Sequence, residues 1–478
     1  MRDINRVLLI YPPTGFYMRD DRCQAPVEGM TAQPPRAPMD LAYMAAVLEK
    51  EAITCKIRDY PAEGLGWDQF EKDLKEFKPD MLIFSITTPT LQDDLHACIK
   101  AKSINPQILT VSKGAHYSEQ DTEILKKCVQ LDIIIRGESE FAVRDIAKAT
   151  DLSKVLGITF RKDSDIVRTP ERPLLDDLDM LPFPARHLLD NSLYVTPDTK
   201  RPIAYIYTGR GCPYHCIYCA VDVVSGYKLK SRSPKSVVDE IEECIEKFGI
   251  RDFFFRADTF TMRKEWAIDI CRMIIERGLK IRWGTNSRVD TICKERLEWM
   301  KKAGCWIIGF GVESGNQAML DKMKKNARIE DAINAVRLCK ETGIKTYLLF
   351  MIGLPWDSKE TVDDSIRFAK RLDGDFIDFN IAYPLPGTEF YKIAKENKLF
   401  IEDDLHRHDY SKPIVRTFHL STEELINLRK KALRSFYLRP AYIIKTLSGI
   451  RSFKEAISYC SSGMRFLKKV PETRHFED

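Results

Sequence analysis

The strongest constraint on how this chain can fold is a repeated pair: a short strand-like run, often wholly apolar, followed by an amphipathic helical stretch. Buried parallel strands read as continuous apolar runs, because helices cover both faces of their sheet. RVLLIYPP (6–13) is such a strand, closed by prolines that cannot continue it. TCKIRDY (54–60), DMLIFSIT (80–87), QILTVSKG (107–114) and DIIIRGE (132–138) follow it, with helical spacing between them. This pattern predicts a doubly wound α/β domain over residues 1–150, with ligands bound beyond the carboxyl ends of the strands. Tyr11, Pro12, Thr87, Thr88, Gly114, His116, Gly137 and Glu138 stand at those ends.

Residues 151–198 are rich in proline and acids and show no strong periodicity, so they read as an ordered linker. A second series then begins. AYIYTGR (204–210), DFFFRAD (252–258), IRWGTNSR (281–288), WIIGFGVES (306–314), TYLLFMIGLP (346–355) and FIDFNIAYP (376–384) read as strands, separated by amphipathic helices such as PKSVVDEIEECIEKF. Six βα units predict a partial (β/α) barrel over 199–400, whose chemistry belongs at the strand carboxyl ends. Residues 401–478 are helical in pattern. From Arg429 to Lys469 they carry many basic residues against one acid, Glu455.

Composition excludes some classes. The chain has 478 residues, 44% of them hydrophobic and 30% charged, which describes a globular protein and not a disordered one. A net charge of +5 at this length offers no whole-protein argument for nucleic acid. No apolar run reaches the ~18–20 residues of a spanning helix, and the N-terminal apolar run is too short for a secretory signal, so a cytoplasmic location is the expectation. Thirteen cysteines, an odd number, do not suggest a disulfide framework in a reducing compartment. Ten are scattered singly, among them Cys55, Cys98, Cys244, Cys271 and Cys339, and read as small buried hydrophobes.

The other three are clustered. Cys212, Cys216 and Cys219 lie in C-P-Y-H-C-I-Y-C, just past the first strand of the second series. A structural zinc site closes with four ligands, and so does a four-cysteine iron–sulfur cluster. Three thiols leave one position open, for something else to bind. The competing reading is a zinc site made by Cys212, His215, Cys216 and Cys219.

C-x3-C-x2-C with an aromatic, Tyr218, before the third cysteine resembles the radical S-adenosylmethionine (SAM) superfamily. The resemblance implies that the three thiolates hold a [4Fe–4S] cluster, and that the open iron takes the amino and carboxyl groups of SAM. Cleavage of SAM then yields a 5′-deoxyadenosyl radical that abstracts hydrogen from unactivated carbon. The strand ends are similar to the family's SAM-binding segments in order. RADTF (256–260) stands where the amino group is bound; the usual Gly-Gly-Glu is absent, and Asp258 and Thr259 are its substitutes. NSR (286–288) brings Ser287 and Arg288. GVESGN (311–316) resembles the ribose and carboxylate segment, with Glu313 and Ser314. MIGLP (351–355) resembles the strand end beside the adenine, with Ile352, and YPLPGT closes the barrel as in one subgroup.

The first domain extends the resemblance to cobalamin (B12)-binding members, which place a Rossmann-like domain before the barrel. Its landmarks here are VLLIYPP, TTPT, GAH (114–116, where GGPH is more usual) and RGESE (136–140). The implied fold class is α/β: a Rossmann-like cobalamin-binding domain, a partial (β/α)6 radical SAM barrel and a helical C-terminal region. No D-x-H-x-x-G follows the first strand, so cobalamin is expected without a histidine on cobalt, with His116 at the corrin periphery or tail.

The implied function is functionalisation of an unactivated carbon, by methylation, cyclisation or oxidation, on a lipid-like or other small organic substrate. The TGRGC and ESGNQ stretches look nearest to the anaerobic magnesium-protoporphyrin cyclase and hopanoid-pathway group. A low-potential donor of the ferredoxin or flavodoxin type is the implied electron source. The basic C-terminus, interleaved with Phe436, Tyr437, Tyr442 and Ile443, suggests peripheral contact with an anionic membrane. Two alternatives compete. A methylthiotransferase-like enzyme needs cysteines of cluster spacing in the first domain, which Cys23, Cys55, Cys98 and Cys128 lack. A cobalamin or iron–sulfur sensor would not need the SAM-binding strand ends.

Overall fold

The apolar runs become two parallel sheets. The structure, a computed structural model, describes residues 3–19, 36–114, 117–196, 198–401 and 412–448. In the first sheet, β1 (Arg6–Tyr11), β2 (Thr54–Asp59), β3 (Met81–Ser85), β4 (Leu109–Lys113) and β5 (Ile133–Ile135) run parallel in the order β2-β1-β3-β4-β5. Val7 to Ile10 are fully buried, as a strand covered on both faces requires. The strand order reverses between β1 and β3, which opens a crevice at their carboxyl ends.

The segment 151–198 is more than a linker. Ile158–Lys162 (β6) and Asp165–Arg168 (β7) form a hairpin that adds antiparallel to β5, giving a sheet of seven strands. Asp163 makes the turn at φ 52°, and Gly157, at φ 75°, redirects the chain onto the β5 edge. These strands are short and half-polar, so their signal was hidden among the prolines and acids around them. Further on, Arg186 donates to the Tyr205 carbonyl at 2.7 Å and pairs with Glu240 at 2.6 Å. Arg232 pairs with the same carboxylate, which completes a buried trio between this segment and the second half.

The second sheet comprises β8 (Ile203–Tyr207), then β11 (Asp252–Arg256), β12 (Arg282–Arg288), β13 (Cys305–Glu313), β14 (Lys345–Ile352) and β15 (Phe376–Ile381), all parallel and in sequential order. A two-residue ladder, β9 (Gly209–Arg210) with β10 (Lys230–Ser231), lies beyond β8. The helix Pro234–Phe248 shows why the flanking elements form. Ser233 caps its start by accepting from Ser236 N, Gly249 ends it in the left-handed region, and Val237, Val238, Ile241 and Cys244 make its buried face. Phe255 stacks on Trp283 beneath it, with ring centroids 4.4 Å apart.

An open barrel leaves edge strands that must be covered. The C-terminal helix Thr422–Tyr437 covers β15. Its Tyr437 hydroxyl accepts from Ile377 N at 2.9 Å and donates to Ile377 O at 2.6 Å, and Arg429 donates to Phe379 O at 2.6 Å. The basic residues here are less exposed to one another than the local sequence implies. Lys431 pairs with Asp363 at 2.6 Å, Arg439 with Asp373 at 3.2 Å and Lys445 with Asp373 at 3.5 Å. These acids lie far away in sequence, so a local charge count misses them. The basic residues after 448 lie outside the described residues. Among the described residues, no helix is long and apolar enough to cross a membrane.

Candidate active site

The cysteine loop follows β9 at the carboxyl end of the second sheet. Gly211 enters it at φ 85°; a Cβ there would lie 2.0 Å from the Lys228 carbonyl, so the position admits no side chain. Ile217, between the second and third cysteines, anchors the loop in an apolar cluster with Met323 and Phe390. Its amide donates to Met323 O at 3.1 Å, and its carbonyl accepts from Phe390 N at 2.9 Å. Arg288, from the end of β12, clamps the outside. Its guanidinium lies 3.4 Å from the Tyr214 ring centroid, pairs with Asp290 at 2.8 Å, and donates to Lys325 O at 2.6 Å and toward the Cys216 sulfur at 4.0 Å.

The three thiols are partly buried. Burial pushes the Cys212 thiol up, and a metal that takes the thiolate offsets that cost. Among the described residues, no three His, Cys, Asp or Glu side chains converge to hold one metal ion. Three thiols from one loop offer three thiolate ligands and leave a fourth position to another group. His215 is held against Tyr227, with ring centroids 4.0 Å apart.

Beside the loop, Glu313 closes β13 in a left-handed conformation at φ 65°, unusual for a residue with a side chain. Its carboxylate pairs with Lys325 at 2.8 Å, and Lys325 also reaches the Tyr218 hydroxyl at 3.4 Å. Glu313 and Lys325 are buried, and Tyr218 is half-buried. Burial, then Glu313 and the Cys216 and Cys219 sulfurs, push the Tyr218 hydroxyl well up, so it stays protonated and able to donate. Gly311 gives this pair its room, since a Cβ there would lie 2.3 Å from the Glu313 carboxylate.

Other residues at these strand ends brace the loops. Ser314 Oγ lies 3.2 Å from Ser365 Oγ and accepts from Asn316 N. Ser287 joins Thr261 and Thr291 in a buried hydroxyl cluster. Thr259 donates to the carbonyl of Asp258. Ile352 gives its carbonyl to Ala382 N at 2.7 Å, while Asp357 accepts from Gly353 N and Leu354 N and shapes the turn that follows. Burial pushes the Asp357 carboxyl up to about 6.

The two sheets present their carboxyl ends to one cleft of about 940 Å³, its open mouth included. From the first sheet's side come Tyr11, Asp40 of the helix Met39–Glu49, Lys113, Gly137 and Glu138; from the second's come Tyr207, Arg210, Arg256 and Asp258. Asp258 lines this cleft, and its charge adds to the burial that raises the Cys212 thiol. Tyr11 donates to Asp40 at 2.6 Å, and Lys113 pairs with the same carboxylate at 2.9 Å. Glu138 is tied across the cleft to Arg210 at 3.0 Å, and Glu140 meets the same guanidinium. Thr87 bonds Thr90 and Asp94, Thr88 is buried, and Pro12 turns the chain after β1. Gly114 packs where a Cβ would come within 2.9 Å of the Ile86 carbonyl. These four support the edge without lining the cleft. His116 lies outside the described residues.

Sequence reasoning missed Lys325, Asp40 and Lys113. Lys325 sits in MKKNAR, which reads as an exposed basic turn, and nothing local signals its partner. Arg210, two residues before Cys212, stood within a motif already singled out and was legible.

Two family profiles match the chain: the B12 binding domain over residues 31–147 and the Radical SAM superfamily over 206–369. An uncharacterized methyltransferase of Pyrococcus horikoshii is 31% identical over 448 residues, covering 93% of this chain and 95% of its own. The anaerobic magnesium-protoporphyrin IX monomethyl ester cyclase of Rubrivivax gelatinosus is 27% identical, over 92% of this chain and 80% of its own. Of solved structures, the radical SAM methyltransferase TsrM of Kitasatospora setae, with cobalamin and a [4Fe–4S] cluster bound, superposes with a TM-score of 0.71 at 16% identity. That match covers 97% of this chain and 99% of the other. The cobalamin-dependent SAM radical enzyme OxsB superposes with a TM-score of 0.74 at 16% identity, covering 98% and 72%. These two share the fold. With both profiles present in order and a relative aligned almost end to end, the chain belongs to the cobalamin-binding radical SAM enzymes.

Proposed function

We propose that this enzyme transfers a methyl group from SAM to an unactivated carbon of a small molecule held in the cleft between the two sheets. The observation that carries the reading is that one cleft touches both strand-end rows, Tyr11 and Gly137 on one side and Tyr207, Arg210 and Asp258 on the other. A substrate there can face both cofactors at once, which a two-cofactor reaction requires. When bound, the cluster supplies the electron that cleaves SAM, and cobalamin supplies a methyl carrier.

The residues divide the work. Cys212, Cys216 and Cys219 hold the cluster. Asp258 and Thr259 take the SAM amino group, Glu313 the ribose, and Lys325 offers its ammonium to the carboxylate. Arg288 and Tyr218 hold the loop that carries the thiols. The carboxyl ends of β1, β3, β4 and β5 seat the corrin. A ferredoxin- or flavodoxin-type protein reduces the cluster. Cyclisation is the second reading, favoured by likeness to the Rubrivivax gelatinosus cyclase over 92% of this chain.

One incubation separates them. Reduced holoenzyme with SAM and candidate substrates is expected to produce S-adenosylhomocysteine and 5′-deoxyadenosine together. 5′-Deoxyadenosine alone would replace methyl transfer with cyclisation or oxidation, and neither product would refute the enzyme reading for those substrates.

The histidines give a further expectation. Of the four described, His96 packs on Trp67, His187 meets Glu49, His215 packs on Tyr227, and His419 follows Thr417 in a turn. None lines the cleft. The cob(II)alamin form is therefore expected to show no nitrogen superhyperfine splitting by EPR. A nitrogen triplet that vanishes in His116→Ala would make His116 the axial ligand.

A further inference from the structure

Two thiols away from the cleft meet across 30 residues of chain. Cys98 lies in the first turn of the helix His96–Ile104, and Cys128 directly follows the helix Tyr117–Lys127. Their sulfurs are 3.4 Å apart, and Cys98 also approaches the Leu95 carbonyl at 2.9 Å. Cys98 is wholly buried, whereas Cys128 is 7% exposed and adjoins Val129, which is 61% exposed. The pair thus has one inner and one outer sulfur. A small hydrophobe's packing does not require two thiols in contact, and the apolar cluster around them would accept alanine or valine at either position.

We propose that Cys98 and Cys128 form a redox-modification site, a dithiol that a hydroperoxide converts to a disulfide. The outer sulfur reacts first. The Cys128 thiolate attacks one oxygen of hydrogen peroxide, the O–O bond breaks, and the leaving hydroxide takes a proton to become water, which leaves a sulfenic acid. The Cys98 sulfur then attacks the sulfenic sulfur. The S–O bond breaks, the S–S bond forms, and a second water leaves with the Cys98 proton. Two thiols and one peroxide become one disulfide and two waters, with two electrons passing from sulfur to oxygen. Closing the bond needs the sulfurs to approach by roughly 1.4 Å, toward a normal S–S length of about 2.05 Å, and Cys128 stands beyond its helix, where the chain can give.

The surroundings support that order. The contact with the Cys98 sulfur, the Leu131 and Gln130 amides and the Arg161 guanidinium act against burial to bring the Cys128 thiol down. The same contact, with burial, pushes Cys98 up. The thiolate therefore forms at the sulfur nearer solvent, as a redox-sensitive cysteine requires. Once closed, the bond ties the helix after β3 to the end of the helix after β4, behind the connections that carry Thr87 and Gly114.

The test exposes full-length holoenzyme to hydrogen peroxide, denatures it, alkylates the remaining thiols and maps the peptides by mass spectrometry. The expected product is a linked pair joining Cys98 to Cys128, lighter by two hydrogen atoms than the two thiols. Dimedone should label Cys128 in Cys98→Ala several-fold more than Cys98 in Cys128→Ala. Recovery of both as separately alkylated thiols, linkage of either to another cysteine, or preferential labelling of Cys98 would overturn the proposal.

Discussion

Replacing Cys212, Cys216 or Cys219 singly by alanine is expected to remove the brown iron–sulfur absorbance and reduce SAM cleavage to background. His215, the loop's other candidate ligand, is packed against Tyr227, with ring centroids 4.0 Å apart. A cubane held by two thiolates would expose a second iron and lose the single open site at which SAM is oriented. Cys244→Ala and Cys339→Ala are the controls. Both thiols are buried beneath helices of the second sheet, and burial raises each to about 12, so neither is a ready thiolate. These controls should keep full absorbance and lose only the stability of a small core cavity, on the order of 1 kcal/mol. Anaerobic reconstitution followed by iron and sulfide analysis reads the outcome. A full cluster in any of the three single variants sinks the assignment.

The second large effect concerns Glu313. Glu313→Ala should keep the cluster but weaken SAM binding by roughly 10–100-fold, the worth of one charge-assisted hydrogen bond at about 1.5–3 kcal/mol. It should also destabilise the protein by about 3–5 kcal/mol, because it strands the Lys325 ammonium, whose side chain is only 7% exposed. These two losses can be separated. Glu313→Leu combined with Lys325→Met removes both charges and should regain most of the stability, since a buried ion pair replaced by apolar side chains is often neutral. The double variant should still bind SAM poorly. If it binds SAM as the unaltered protein does, the pair is structural and Glu313 has no part in holding the cosubstrate. Asp258→Ala provides a comparison on the other side of the loop: it should weaken SAM binding with a smaller effect on stability.

The residues that local pattern could find share one property: their signal lies in their own neighbourhood. Strands such as β1, β3 and β5 announce themselves as apolar runs, because a strand covered on both faces needs no polar alternation, and the more polar β2, β4 and β12 are placed by the regular strand–helix series around them. The three cysteines are legible for a similar reason, since one loop must present all three thiols. Glu313 and Asp258 could be picked out as polar residues at strand ends, where a parallel sheet opens its crevice.

Tertiary structure decided the rest, because each remaining feature is a meeting of distant segments. The β6–β7 hairpin exists because β5 offers an edge to pair with, and its own sequence is too polar and too short to insist on a strand. Lys325 looks like one more surface lysine until β13 delivers a carboxylate 2.8 Å away. The basic helix after residue 421 is matched to Asp363 and Asp373, which charge counting along the chain cannot pair with it. Cys98 and Cys128 stand in separate helices and acquire each other only when β3 and β4 lie side by side. The sequence by itself determined the two α/β series, their order and the place of the cysteine loop after the first strand of the second, since periodicity and spacing are local properties of a chain. Only the tertiary structure decided that the two rows of strand ends face one cleft, because that depends on how the Glu138–Arg210 pair and the Arg186–Glu240–Arg232 trio set one sheet against the other.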